Sequence, residues 1–168
     1  FSAALPRDEV SLPELLRDKA GYYTGICGRS FHLDGSAQPP AIARVYAEHK
    51  LKTFADRVDF LQGSGDAQVA EMLDKFLEAK PADKPFFMWA NFSDPHHVWN
   101  APEKYRPDPT KLKLPAQWPD LPGVREQMAD YCAEVNRLDE SVGAVLDVLK
   151  RRGLRDKTLI VFAGDNGQ

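Results

Sequence analysis

Arg29 with His32, the pair His96 and His97, and the adjacent Asp165 and Asn166 are the residues of this chain whose types and spacing can do chemistry. A guanidinium presents a planar fork of donors that matches a tetrahedral oxyanion such as sulfate or phosphate. An imidazole titrates near neutrality, so it can donate to an anionic oxygen or protonate a leaving group. A carboxylate beside an amide oxygen suits a hard cation, which takes oxygen ligands. Together these groups describe hydrolysis of a sulfate or phosphate ester. Each also has a plainer reading. An arginine after a strand can be a solvated charge, one of two neighbouring histidines can be structural, and Asp-Asn-Gly is a common turn. Two oxygens do not fill the shell of a hard cation, so its other ligands are expected elsewhere.

All three groups follow apolar, strand-like runs. Tyr22 to Cys27 leads into Gly28-Arg29-Ser30-Phe31-His32, Phe86 to Phe92 into Asp94-Pro95-His96-His97, and Thr158 to Phe162 into Asp165-Asn166-Gly167. Each run follows a segment of helical periodicity, so the chain reads as α/β. In open α/β sheets the ligand lies beyond the carboxyl ends of the strands, and the three loaded ends are expected to meet there. The runs at Phe86–Phe92 and Thr158–Phe162 are apolar on both faces, which predicts central strands covered by helices.

The helices carry their own signals. Ser11-Leu12-Pro13-Glu14 has capping-box spacing, and a helix is expected from there to about Ala20, stopped by Gly21. A second is expected near Asp66, capped by its carboxylate, with Val69, Met72, Leu73, Phe76 and Leu77 on one face. In the third, Met128, Cys132, Val135, Leu138, Val142, Val145, Leu146 and Leu149 step by threes and fours. Arg151 and Arg152 suit the negative end of its dipole. Residues 36–64 show no clear period; Phe54, Val58 and Phe60 are compatible with a strand or a short helix. Residues 102–122 contain six prolines and predict an ordered loop, placed equally well to contact substrate or to pack on the surface.

A net charge of -3 argues against a nucleic-acid binder, which needs a concentrated basic face. No apolar run approaches the roughly 20 residues of a membrane span. Cys27 and Cys132 form no C-x-x-C pattern and read as buried free thiols. The Asn91-Phe92-Ser93 sequon ends an apolar strand and is discounted as a glycosylation site. A start at Phe1 and an end inside a site loop at Gln168 read as an internal piece of a longer protein.

The chain resembles the sulfatases of the alkaline phosphatase superfamily. The resemblance rests on Gly21-Tyr22-Tyr23-Thr24-Gly25 with Gly28-Arg29-Ser30-Phe31-His32-Leu33, on Pro85-Phe86-Phe87 with Asp94-Pro95-His96-His97, on Leu138-Asp139-Glu140-Ser141-Val142-Gly143, and on Thr158 to Gly167. It implies an alkaline-phosphatase-like central sheet flanked by helices on both faces, incomplete in this chain, residues 1–168 being a partial catalytic domain. It implies that Asp165 and Asn166 bind an active-site Ca²⁺, in preference to Mg²⁺, and that His96 contacts the sulfate or protonates the leaving oxygen. His32 resembles the sulfate-contacting histidine of a Gly-Lys-x-His-Leu signature. Here Arg29 replaces the lysine, and two residues rather than one separate it from the histidine. His97 has no family counterpart and joins Arg29 and His32 as a candidate substrate contact.

The Cys/Ser-x-Pro-x-Arg element whose first residue becomes formylglycine does not occur in the chain. The early aspartate pair and the lysine after Asp-Asn-Gly are also missing. The nucleophile is therefore expected outside these residues, and the isolated chain is expected to be inactive. The substrate implied is a sulfated small molecule or glycan, in a periplasmic, secreted or lysosomal-type compartment. The alternatives are a phosphodiesterase or phosphonate hydrolase of the same superfamily, and a non-catalytic anion-binding module.

Overall fold

The structure, a computed structural model, describes residue 6 and residues 8–29 and 40–164, without the side chains of 40–42. Helix α1 (Leu12–Ala20) starts where the sequence places it. The Glu14 carboxylate accepts from the Ser11 backbone N–H at 2.9 Å and from its hydroxyl at 2.8 Å. Gly21 closes the helix at φ 71°, a left-handed value that glycine adopts without strain. Strand β1 (Tyr23–Gly28) follows, then α2 (Pro40–Glu48), α3 (Phe54–Arg57) and β2 (Phe60–Gly63). The aperiodic stretch thus holds two helices and a strand, with Phe54 in the short α3 and Phe60 in β2. A short 3₁₀ turn at Asp66–Gln68 leads into α4 (Val69–Ala79), and β3 (Phe86–Asn91) follows it. The proline-rich loop has two 3₁₀ turns, Glu103–Tyr105 and Pro109–Lys111, before the long α5 (Val124–Arg151).

The three strands form one parallel sheet in the order β2-β1-β3, with Gly28 level with both Gly63 and Asn91. All five periodic apolar residues of α4 are buried, against the sheet and against Val148 and Leu149 of α5. Phe76 is the hub: its ring stacks on Tyr23 at 5.0 Å and meets Phe60 and Phe86 edge-on. Gly25 makes this possible, because a Cβ there would lie 2.7 Å from that ring. Thr24 and Ile26 point to the other face of the sheet and are also buried, with α1 packed on β1. Helices therefore cover both faces of the central strand.

Three expectations change. The centre of the sheet is β1, while β3 is an edge strand with Trp89 exposed. Residues 158–162 form no strand, and Leu159, Val161 and Phe162 are 90%, 78% and 73% exposed. An apolar run becomes a central strand only when a ladder and covering faces exist on both sides, and among the described residues no strand pairs with β3 on its far side. On α5 the buried face is set by Ala129, Ala133, Val148 and Leu149, with Val135 exposed. Small residues allow the closest helix approach, so the helix turns its alanines inward. Cys27 is fully buried, and burial pushes its thiol up to about 12; Cys132 is half-buried, and neither forms a disulfide.

Beneath α1, Glu14 and Arg57 form an ion pair with both side chains 1% exposed, and Lys52 reaches Glu14 at 2.8 Å. Burial by itself would raise the Glu14 carboxyl. Lys52, the Ser11 backbone and hydroxyl, and Arg57 outweigh it and bring the value from 4.5 down to about 2. A depressed carboxylate stabilises the fold fully above its unfolded value and loses that contribution as the pH falls towards the folded one. We expect about 2 kcal/mol of Glu14-linked stability to vanish between pH 5 and pH 3. Urea melts at the two pH values check this, and Glu14→Gln must flatten the difference.

Candidate active site

The carboxyl ends of β1 and β3 are tied together residue by residue. The Arg29 N–H donates to the Asn91 carbonyl at 3.1 Å, and the Asn91 side-chain amide donates back to the Arg29 carbonyl. The approach is so close that a Cβ on Gly28, at φ +85°, would sit 1.9 Å from the Asn91 oxygen. Glycine is required there on both counts. The same contact engages the Asn91 amide within the fold, consistent with the discounted sequon. Arg29 is thereby placed at the mouth of the sheet, half-buried, with no ion-pair partner among the described residues.

The loop after β3 carries His96 and His97, both exposed. It is held from two sides. Asp66 accepts the backbone N–H groups of Ser93 at 2.8 Å and Asp94 at 2.9 Å. This corrects its expected role: Asp66 starts the 3₁₀ turn but caps no helix, and its carboxylate serves the site loop instead. From the other side, Arg137 of α5 grips the Asp94 carboxylate with two bonds of 2.7 and 2.8 Å and reaches the Asn100 side chain at 3.0 Å. The Asp94 bond, more than burial opposes it, raises the Arg137 guanidinium further above its ordinary value. Arg137 also pairs with Glu134, which is fully buried and accepts the N–H groups of Asn100 and Ala101. The segment from Ser93 to Ala101 is thus pinned at its start by Asp66 and at its end by Glu134, with Arg137 bridging Asp94 and Glu134.

Within that segment His96 donates its backbone N–H to Ser93 at 2.9 Å, and its Nδ1 contacts the His97 carbonyl. A carbonyl can only accept, so Nδ1 carries the proton and Nε2 is left for a ligand. The His97 ring meets Trp99 edge-on at 5.5 Å, and the Trp99 indole N–H donates to the Pro95 carbonyl at 3.2 Å. The structure therefore brings Arg29 and the His96-His97 loop to adjacent strand ends. His32, Asp165 and Asn166 lie outside the described residues. Among the described residues no group of three or more His, Cys, Asp or Glu is placed to hold a metal. Asp165 and Asn166 are chemically a donor pair of the kind a hard cation takes, and would fill two of the six to eight oxygen positions around Ca²⁺.

The sequence reading missed Asp66, Asp94, Glu134 and Arg137 as site-building residues. A signal was present: Glu134 and Arg137 stand three apart on a helix, and charged residues on a buried face are almost always paired.

A family model described as Sulfatase matches residues 2–168. N-sulphoglucosamine sulphohydrolase of Homo sapiens is 28% identical over 95% of this chain and 35% of its own length. An ulvan-active sulfatase of Formosa agariphila is 27% identical over 98% of the chain and 36% of its own. The uncharacterised sulfatase YdeN of Escherichia coli is 32% identical, covering 97% and 34%. The chain thus spans about a third of the length of these relatives. Among solved structures, that of Ps i-CgsB in complex with k-i-k-neocarrahexaose superposes with a TM-score of 0.53 at 16% identity, over 92% of this chain and 39% of that one. That likeness supports the fold.

Proposed function

The chain belongs to the sulfatase family, and from that premise we propose that the protein hydrolyses a sulfuric ester or sulfamate at the carboxyl ends of β1 and β3. The observation that supports this best is the mutual clamp of Arg29 and Asn91, which fixes the Arg29 backbone at the end of β1 against the residue from which the loop carrying His96 departs. In this reading Arg29 binds the sulfate oxygens, and His32 serves as a second sulfate contact. His96, as an imidazolium, gives its Nε2 proton to the departing alcohol oxygen and is left as the Nδ1–H tautomer that the His97 carbonyl favours. His97 lends its carbonyl to His96 and its ring to Trp99. Fixed charges that are already oriented stabilise developing charge without reorganising, which is why the clamped loop matters.

Asp165 and Asn166 would hold calcium, which supplies positive charge beside the sulfate when bound. A formylglycine from a Cys/Ser-x-Pro-x-Arg element outside residues 1–168 would supply the nucleophile. The full-length protein is expected to release sulfate from 4-nitrophenyl sulfate or a sulfated saccharide. The 168-residue chain by itself is expected to show no turnover, having no nucleophile for the covalent step. Multiple turnover by the short chain would sink this assignment of roles. A full-length protein that cleaved bis(4-nitrophenyl) phosphate and no sulfate would replace it with phosphoryl transfer.

A further inference from the structure

Asp66 and Glu134 hold the two ends of the histidine loop, and neither reaches its middle. There His96, His97 and Val98 are exposed, Val98 by 70%, so packing does not hold them in place. Trp99 restrains this middle. Its indole N–H donates to the Pro95 carbonyl at 3.2 Å and closes residues 95–99, both histidines included, into one small loop. Its aromatic system meets His97 edge-on at 5.5 Å and Tyr131 of α5 edge-on at 5.7 Å, a favoured geometry for such pairs. On its remaining side Trp99 lines, with Trp118 and Tyr131, an aromatic cavity of about 250 Å³ between the proline-rich loop and α5. Trp99 is therefore placed by these directed contacts and not by dense packing all round.

The consequence falls on His96, whose Nδ1 contacts the His97 carbonyl. In a neutral histidine, the hydrogen bond made by one ring nitrogen decides which nitrogen carries the proton. A backbone carbonyl points where the dihedrals around it direct it, and here those dihedrals belong to the segment that Trp99 closes. We infer that Trp99 is a positioning residue, which aims the His97 carbonyl at His96 Nδ1 and thereby reserves Nε2 for the ligand. Trp99 acts through His97 and not on the substrate. Its effect on turnover rests on the general-acid role proposed for His96, whereas its effect on the His96 tautomer does not.

The test uses the full-length protein and its Trp99→Phe variant, which keeps an aromatic ring beside His97 and Tyr131 but removes the indole donor. A thermal melt checks that the variant folds. Imidazole ¹⁵N–¹H correlation spectra, recorded where His96 is neutral and assigned with His96→Ala, report the tautomer. The wild type is expected in the Nδ1–H form, and Trp99→Phe is expected to raise the share of the Nε2–H form. In Trp99→Phe, kcat for a saccharide sulfate is expected to fall about ten-fold with KM nearly unchanged, as a slightly misplaced general acid would cause. The fall for 4-nitrophenyl sulfate is expected to be smaller, because its leaving group needs little protonation. A wild type in the Nε2–H form overturns the inference, and so does a folded Trp99→Phe protein with the wild-type tautomer. A tautomer shift with equal losses on both substrates supports the positioning of His96 and removes its general-acid role instead. If no sulfate ester is cleaved at all, the functional reading fails separately, and the spectra still decide the role of Trp99.

Discussion

His96→Ala in the full-length protein is expected to lower kcat by roughly 10²–10⁴-fold, the usual contribution of a positioned general acid. His97→Ala is expected to cost far less in turnover, because the His97 ring is engaged with Trp99 and its carbonyl survives the substitution. The effect should depend on the leaving group. An alcohol as poor as a sugar hydroxyl needs protonation in the transition state, whereas 4-nitrophenolate departs unaided. His96→Ala should therefore harm saccharide sulfates more than 4-nitrophenyl sulfate. Near-native rates in a folded His96→Ala protein would remove the general-acid role. A loss confined to His97→Ala would transfer it to the neighbour.

Glu134→Ala is expected to destabilise the protein by roughly 3 kcal/mol or more and to lower turnover at least ten-fold. Glu134 is fully buried and accepts two backbone N–H groups, of Asn100 and Ala101, besides pairing with Arg137. Each buried donor stranded without a partner costs about 1–3 kcal/mol. Releasing one end of the pinned segment also lets His96 drift, and a displacement of about 1 Å can cost roughly 100-fold in rate. Glu134→Gln separates the two effects, since it keeps an acceptor for the backbone but loses the charge facing Arg137. It should fall between the wild type and Glu134→Ala in chemical denaturation and in kcat. Native-like melting and turnover in Glu134→Ala would show that the network does not position the loop.

Much of this protein was legible in one dimension because the relevant physics is local. The Ser11–Glu14 capping box, the left-handed stop at Gly21, the buried stripe of α4 and the β1 and β3 runs depend on neighbours within a few residues. So did the placement of Arg29 and His96 just past strand ends, since a strand that stops at Gly-Arg or Asp-Pro-His can deliver those groups nowhere else. Chemical type is likewise a property of single residues: a guanidinium, imidazoles and an oxygen pair suit an ester of a tetrahedral oxyacid.

Tertiary structure decided what depends on distant partners. Whether an apolar run is central, as β1 is, an edge like β3, or exposed like residues 159–162 turns on what lies beside it, and periodicity within the run carries no such information. Asp66 had the credentials of a helix cap, yet its carboxylate binds backbone N–H groups 27 and 28 residues away, because those donors were otherwise unpaired. Glu134 and Arg137 look like an ordinary helical charge pair until the loop from Ser93 to Ala101 folds across them. The aromatic cavity beside His97 joins Trp99, Trp118 and Tyr131 from three separate stretches. Sequence thus determined which groups this protein owns and that Arg29 and His96 follow the ends of β1 and β3, since local propensity and chemical type are properties of short segments. The fold decided which groups work together, because burial and hydrogen-bond satisfaction are settled between segments far apart in the chain.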